Sequence, residues 1–202
     1  MLNELTKKRK INYKNIKNDI KTDKISQNFA KSESFSEQDF ELLSIIKALL
    51  STRRFLPNII SLLSRLVVDY ASDTNRGSYI FGDIQNGTYS QIDEILKLEQ
   101  RQRSLLNMQF IVDTLTNSLS EKYFGFVELR YFKNKKFPLV AEELGVDERT
   151  LYRWNKTILI KLMKFCKLNN WGLSFFKAQL HDEKWILPHY QKSYESVLKL
   201  FG

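Results

Sequence analysis

Residue types that often form metal sites or covalent cross-links are scarce in this 202-residue sequence, which has one cysteine and two histidines. The lone Cys166 excludes an intrachain disulfide and leaves no CxxC pair for zinc, as is typical of a reducing compartment. His181 and His189 are eight residues apart, which is not a common spacing for metal ligands. We therefore expect surface histidines, no metal and no cofactor.

Long apolar runs and phosphate-binding glycine motifs are also missing. The most apolar stretch, residues 55–68, contains Pro57 and Arg65 and is too short to span a bilayer. The N-terminal MLNELTKKRK is followed by polar Lys- and Asn-rich sequence and not by the apolar segment of a signal peptide. The glycine spacing fits neither GxGxxG nor GxxxxGK(S/T). These absences predict a cytoplasmic protein without a membrane partner.

Positive charge is in excess, and it is unevenly distributed along the chain. The formal net charge is +9 and the pI is about 9.5. Residues 1–39 have nine basic and six acidic side chains, residues 119–165 have ten and six, and residues 40–118 have eight of each. A basic protein attracts polyanions such as nucleic acid. We interpret residues 1–39 as a basic flexible arm because they are polar and lack clear periodicity.

The spacing of apolar residues predicts an all-α fold. After the capping candidates Ser36 and Asp39, a broad apolar stripe predicts one helix, and Pro57 opens a second. Residues 72–90 are rich in turn formers and predict a long loop or a short irregular hairpin. A long amphipathic helix is predicted from about Gln91 to Ser118. We therefore expect residues 40–118 to form a helical core with a candidate interaction surface. The apolar stripes of the predicted helices are wide enough either for burial in a core or for contact with a partner.

Residues 119–165 predict three short helices, Ser120–Phe132, Pro138–Leu144 and Glu148 to about Phe165. Between the second and third lies Gly145-Val146-Asp147, in which glycine can end one helix and aspartate can cap the next. This three-residue turn and the small Ala141 at the helix crossing are typical of a helix-turn-helix. The predicted inward positions are Val140, Ala141, Leu144, Val146, Leu151, Trp154 and Ile158.

The side chains on the outer surface of this motif are those that we expect double-stranded DNA to contact. On the third helix they are Glu148, Arg149, Tyr152, Arg153 and Lys156. Arg149 and Arg153 can each bind a guanine edge in a major groove. Tyr152 suits a thymine methyl or a phosphate, and Glu148 suits helix capping or a cytosine amino group. Lys156 and the loop residues Lys133, Lys135 and Lys136 suit phosphate contacts. The alternative is a helical hairpin that only packs.

The same stretch resembles region 4 of the sigma-70 family and, within that group, the ArpU-type phage regulators of late transcription. The residues that carry the resemblance lie within about residues 90–165 and are LSE at 119–121, ELRYF at 128–132, VAEELGV at 140–146, TLYR at 150–153 and KL at 161–162. Phe137-Pro138 departs from the family pattern, which has Ser or Thr before the second helix. The resemblance implies a C-terminal sigma-70 region 4-like helix-turn-helix on a helical bundle, in a phage or mobile-element activator that acts with host RNA polymerase.

Other interpretations stay open at this stage. One is an alternative sigma factor, although residues 40–118 lack a recognisable domain for gripping polymerase. A DNA recombinase would need a nucleophile among clustered arginines, and Arg53 and Arg54 near Ser51 are the only hint of one. We therefore expect a regulator and not an enzyme, with no catalytic residues. Residues 166–202 form an aromatic-rich helical extension that packs on the core or meets polymerase or a second subunit. A homodimer is a further candidate, because one small module binds DNA weakly.

Overall fold

The computed structural model describes residues 35–77 and 84–201, and it describes side chains in these ranges except at 73–91. Throughout the described part the secondary structure is helical, which confirms the all-α prediction. The described residues form eight α-helices, namely α1 (Glu37–Thr52), α2 (Leu56–Gly77), α3 (Ile84–Asn117), α4 (Glu121–Val127), α5 (Phe137–Leu144), α6 (Glu148–Leu168), α7 (Leu173–Leu180) and α8 (Leu187–Phe201). A π-helical turn (Glu128–Phe132) follows α4, and a 3₁₀ turn (Lys184–Ile186) precedes α8. Residues 1–34 of the predicted arm lie outside the described residues.

Helix α1 begins at the predicted capping box. The amide of Asp39 donates to Ser36 Oγ at 3.3 Å, and the amide of Ser36 donates to Asp39 Oδ2 at 3.1 Å. These two bonds satisfy backbone donors that the first helical turn leaves open. The cap fixes where α1 starts, and Phe35 just before it packs edge-on against Phe201 with ring centroids 5.2 Å apart.

Helix α1 is buried on nearly every side and is the centre of the bundle. Seven of its aliphatic side chains are buried, namely Leu42, Leu43, Ile45, Ile46, Ala48, Leu49 and Leu50. Its buried hydroxyls bond within the helix, as Ser44 does to the carbonyl of Phe40 at 2.6 Å. Helices α3, α6, α7 and α8 and the π-helical turn all pack against α1. The C-terminal extension therefore belongs to the same core as α1.

Helices α2 and α3 pack against each other, and α3 is longer than predicted. The predicted loop or hairpin at residues 72–90 is wrong, because α2 continues to Gly77 and α3 already begins at Ile84. Positions 78–83 lie outside the described residues. Two glycines cost a helix only about 1 kcal/mol each, so packing of one helix on the other can outweigh their unfavourable propensity.

The α2–α3 pair carries large exposed side chains along much of its length. Leu62, Val68, Leu96 and Phe110 are each more than half exposed. In the half of α3 nearest α1, the opposite side of the helix is buried through Leu105, Met108, Val112 and Leu115. We name the exposed residues Leu62, Val68, Tyr70, Ile92, Leu96, Leu106 and Phe110 the hairpin apolar face.

Ion pairs connect distant parts of the chain. Arg53 at the end of α1 donates to both carboxylate oxygens of Asp113, at 2.7 and 3.0 Å. Arg101 of α3 lies 3.5 Å from the buried carboxylate of Glu183. None of the described helices is both long enough and apolar enough to cross a membrane.

The central position of α1 gives a direct stability test. We expect Leu43→Ala to lower the free energy of unfolding by about 2–5 kcal/mol, because Leu43 is fully buried and alanine would leave a cavity. The matched control is Leu62→Ala on the hairpin apolar face, where the loss should stay within about 0.5 kcal/mol. Urea unfolding followed by circular dichroism measures both values. Equal losses in the two variants would show that α1 is not the centre of the core.

Candidate nucleic-acid interface

Helix α5 begins without a side-chain cap. Lys136 stands at the N-cap position, and Pro138 lies in the first turn, where its missing amide hydrogen costs nothing. The ring of Phe137 stacks on that of Tyr152 at 4.4 Å and 6°, and the guanidinium of Arg130 lies 5.1 Å from the Phe137 ring centroid. At the start of α5, where the sigma-like pattern has a Ser or Thr cap, this chain thus has an aromatic contact between α5 and α6.

The turn between α5 and α6 has the predicted structure. Gly145 adopts the left-handed conformation, with φ 64° and ψ 37°, which disfavours residues with a Cβ. The amide of Val146 donates to the carbonyl of Ala141 at 3.1 Å and closes the end of α5. Asp147 caps α6, since its carboxylate accepts from the amide and the hydroxyl of Thr150, both at 2.8 Å. These bonds to Thr150 lower the pKa of Asp147, whose side chain is therefore engaged in capping.

The inward face of the motif is buried almost as predicted, and Val146 is half-buried. The other predicted inward residues are buried, namely Val140, Ala141, Leu144, Leu151, Trp154 and Ile158. Trp154 packs edge-on against Tyr123 of α4 at 5.8 Å. A buried hydrogen bond of 2.7 Å runs from the hydroxyl of Tyr131 to Asn155 Oδ1 and joins the π-helical turn to α6.

The predicted helix Ser120–Phe132 is divided in the structure. Ser120 occupies the N-cap position of α4 without making the expected side-chain hydrogen bond. After Val127 the backbone widens into the π-helical turn, in which the amide of Lys133 donates to the carbonyl of Glu128 at 2.8 Å. Asn134 then adopts a positive φ of 55°. Such turns change the direction of side chains within a helix, and this one presents Arg130 toward α1 and α8.

The two arginines assigned to base contacts lie on one exposed side of α6. Arg149 and Arg153 are one helical turn apart, and both are exposed. Neither forms an ion pair with any carboxylate in the described ranges. Glu148 is exposed beside them in the first turn of α6. This side is open for contact with a partner.

Tyr152 and Lys156 lie on a neighbouring side of α6 that faces α8. Tyr152 is 50% exposed and is held by its stacking on Phe137. The ammonium of Lys156 lies 4.9 Å from the ring centroid of Phe201 at the end of α8. The five predicted residues therefore divide into an outer group and a group beside the C-terminal helix.

Two of the three loop lysines have carboxylate partners. Lys133 lies 2.9 Å from Glu128, and Lys135 forms an ion pair with Glu143. Exposed ion pairs contribute only about 0–1 kcal/mol, so a phosphate could replace either partner. Lys136 is exposed and has no ion pair with the described residues. It is the lysine of this loop that could contact a phosphate most readily.

Comparisons of the chain with protein-family models, with curated proteins and with solved structures find no match. Function is therefore inferred from the residues and their arrangement alone.

A second group of basic residues, which the sequence did not indicate, surrounds a cavity of about 280 Å³ beside α6. Lys47 of α1, Arg54 after it, Arg130 of the π-helical turn and Lys192 of α8 all line this cavity. We name it the basic cleft. Its four cations are separated by up to 145 positions in the sequence, from Lys47 to Lys192, so no local motif could have revealed it.

The recombinase interpretation predicted a nucleophile among clustered arginines, and the basic cleft does contain Ser51 together with Arg54 and Arg130. The hydroxyl of Ser51 donates to the carbonyl of Lys47 at 2.9 Å, as helical serines often do. Arg53, the other arginine of this interpretation, is held by Asp113 on α3. Ser51 has no hydrogen bond to a histidine or carboxylate among the described residues.

The two histidines have different surroundings. His181 is exposed, and its Nδ1 lies 2.8 Å from Asp182 Oδ1. His189 is half-buried between the rings of Phe55 and Trp185 and lines the basic cleft. Within the described ranges no three His, Cys, Asp or Glu side chains cluster as metal ligands.

Burial and like charge perturb the titration of groups in the basic cleft. Burial, and then the nearby Arg130, lower the pKa of Lys47 to about 8. Burial, followed by repulsion from Arg54 and Lys192, lowers the pKa of His189. Among the described residues that line the cleft there is no carboxylate to offset such repulsion. Cationic Lys47 therefore destabilises the folded protein at neutral pH.

Because the charge of Lys47 destabilises the folded protein, the difference in stability between the wild type and Lys47→Met should depend on pH. The prediction applies to buffers without phosphate or sulfate. Between pH of about 8 and 10.5 the unfolded chain keeps the Lys47 proton that the folded protein releases. The stability of the wild type relative to Lys47→Met should therefore rise by on the order of 2 kcal/mol across this range. Urea unfolding at several pH values measures the difference, with exposed Lys199→Met as control. A difference that stays flat with pH would show that Lys47 is not desolvated.

Proposed function

We propose that this chain is a sequence-specific, double-stranded DNA-binding transcription regulator in which α5, the Gly145–Asp147 turn and α6 act as a helix-turn-helix. In this proposal α6 is the recognition helix, and its first two turns enter a major groove. The supporting observation is the pair Arg149 and Arg153, exposed on one side of a helix whose opposite side is anchored in the core.

The length of α6 suits this role. At 1.5 Å per residue its 21 residues extend for about 30 Å. The side that faces the core is buried along the helix, from Leu151 and Trp154 to Leu162 and Met163, and the other side of the first two turns presents Arg149 and Arg153. A base-contacting side chain loses affinity if its support moves, and here the support is the protein core. The buried side of α6 holds the backbone that carries Arg149 and Arg153, which favours base recognition over loose phosphate binding.

Within the proposed interface the residues have different roles. Arg149 and Arg153 would each supply about 1–3 kcal/mol of discrimination through a guanine edge. Lys136 would position the protein on the backbone, with Lys133 and Lys135 joining after exchange of their carboxylate partners. Tyr152 and Lys156, which face α8, would contact the backbone at the edge of the groove. Glu148 would interact favourably with the α6 dipole or accept from a cytosine amino group.

A partner would strengthen the weak binding that one module provides, since a single small module buries only about 600–1,000 Å² of protein surface on DNA. The hairpin apolar face supports a second copy of this chain as that partner, because its seven large apolar side chains are exposed in the single chain. A homodimer would also bring two recognition helices to two half-sites. Host RNA polymerase is the other candidate, and its recruitment would make the chain a cytoplasmic activator of phage or mobile-element promoters.

An alternative sigma factor is the second proposal, and it uses the same α5–α6 motif. It differs in requiring that DNA recognition depend on core polymerase. The discriminating observation is whether the chain by itself selects a sequence from random DNA.

The DNA-binding proposal is tested by selecting sequences from a random double-stranded pool with the purified chain. We expect an enriched motif, and we expect Arg153→Ala to lose preference at one position of it by about tenfold or more. Lys136→Ala should weaken binding to all sequences and reduce the salt slope by about one. Fluorescence anisotropy across a salt series measures both effects.

The matched control is Lys97→Ala on α3, an exposed lysine paired with Asp93 at 2.7 Å and remote in sequence from the motif. It should bind DNA like the wild type. No enriched motif without polymerase, but one with it, would favour the sigma factor. No DNA binding in either case would refute both proposals.

The dimer proposal predicts that Phe110→Ser shifts the protein toward monomer, because Phe110 is 67% exposed in the single chain. Size-exclusion chromatography with light scattering measures the mass over a concentration series. Asn107→Ser, an exposed polar position on the same helix, should leave the mass unchanged. A wild type that stays monomeric at all concentrations would contradict the proposed dimer.

A further inference from the structure

The basic cleft lies where five elements meet. Its walls are α1, the π-helical turn, the start of α5, the first half of α6 and α8. The stacked rings of Phe137 and Tyr152 form one side, next to the proposed recognition helix. The opposite side is α8, which contributes Lys192, Ser193 and Ser196.

The cations of the cleft have no carboxylate partners in the described structure. The ammonium of Lys47 donates to Ser196 Oγ. Arg130 donates from Nη1 to the carbonyl of Lys135 at 2.8 Å, and Arg54 lies 4.5 Å from the ring centroid of Phe55. These partners are a hydroxyl, a carbonyl and an aromatic ring, and none of them carries a negative charge. By comparison, Arg53 beside them is neutralised bidentately by Asp113.

Neutral hydrogen-bond donors complete the lining. Ser196 Oγ accepts from Lys47, so its own proton remains available to a ligand. Asn155 Oδ1 accepts from the buried hydroxyl of Tyr131, which fixes the amide and leaves Nδ2 without a partner among the described residues. Buried Ser193 also lines the cleft. A cavity lined by cations and donors, without any carboxylate, is complementary to an oxyanion.

The balance of charge favours a multiply charged ligand over a single carboxylate. Lys47, Arg54, Arg130 and Lys192 together carry up to four positive charges in one cavity of about 280 Å³. A phosphate group brings nearly two negative charges and several acceptor oxygens. Its charge would therefore oppose the lowering of the pKa values of Lys47 and His189 that burial and then repulsion cause.

We infer that the basic cleft is a binding site for a phosphate group, held by Lys47, Arg130 and the Ser196 hydroxyl, with Arg54 and Lys192 at its sides. The phosphate belongs either to a small phosphorylated ligand or to the backbone of bound DNA, since Tyr152 connects the cleft to the proposed recognition helix. The inference depends on the cleft and not on the proposed function. A ligand there would contact α1, α6 and α8 together and would stabilise their packing.

Two measurements on the full-length chain test this site. The first is thermal unfolding with inorganic phosphate or pyrophosphate, compared with chloride at equal ionic strength. The second is the affinity for the DNA motif selected above. Both use the wild type, Lys47→Met and Arg130→Met, with Arg103→Met as control because Arg103 is 81% exposed on α3. Lys47→Met removes a desolvated charge, so we expect it to fold.

A saturable rise of several degrees in the wild-type melting temperature, lost in Lys47→Met and Arg130→Met but kept in Arg103→Met, would support a small phosphorylated ligand. If the phosphates have no such effect but both cleft variants lose tenfold or more in DNA affinity and about one in salt slope, the phosphate is that of DNA.

Two outcomes would overturn the inference. One is equal stabilisation of all variants by phosphate, and the other is no effect in either measurement. A positive phosphate result in a protein that binds no DNA would sink the proposed function and leave the cleft assignment intact.

Discussion

Burial of α1 is the constraint on which the rest of the structure depends. A helix that is apolar over nearly its whole circumference must be covered on all sides, and α3, α6, α7 and α8 provide that cover. The helix α6 is one of these covering elements, with Leu151 and Trp154 anchoring its first turns in the core while Arg149 and Arg153 remain exposed on the other side. The same packing brings Lys47 on α1, Arg130 on the π-helical turn and Lys192 on α8 to a common cavity.

The proposed DNA-binding surface and the basic cleft are two sides of the same half of α6. Arg149 and Arg153 face outward, whereas Tyr152 and Asn155 face the cleft. A phosphate bound between α6 and α8 would therefore lie beside the proposed recognition surface. If that phosphate belongs to a small ligand, the geometry would allow its presence to influence DNA affinity through the position of α8, whose terminal Phe201 contacts Lys156.

Local signals in the sequence predicted local structure well, and long-range features could not be read from it. The hydrogen bonds of Gly145 and Asp147 involve only residues within four positions in the sequence, so the turn between α5 and α6 could be predicted from residue type. The loop or hairpin predicted at residues 72–90 was wrong because turn propensity does not include the packing of α2 on α3. The π-helical turn and the basic cleft were missed for a related reason. Arg130 and Lys192 meet only after α8 has folded onto α1, and no sequence spacing records that contact.

The central claim is that the turn between α5 and α6 and the first half of α6 contact DNA, and hydrogen exchange tests it without any substitution. Amide exchange of the full-length chain would be measured by mass spectrometry with and without its selected DNA duplex. We expect added protection at residues 134–157, together with little change in α2 and the outer part of α3. Protection confined to the α2–α3 pair, with residues 134–157 unaffected by DNA, would contradict the account.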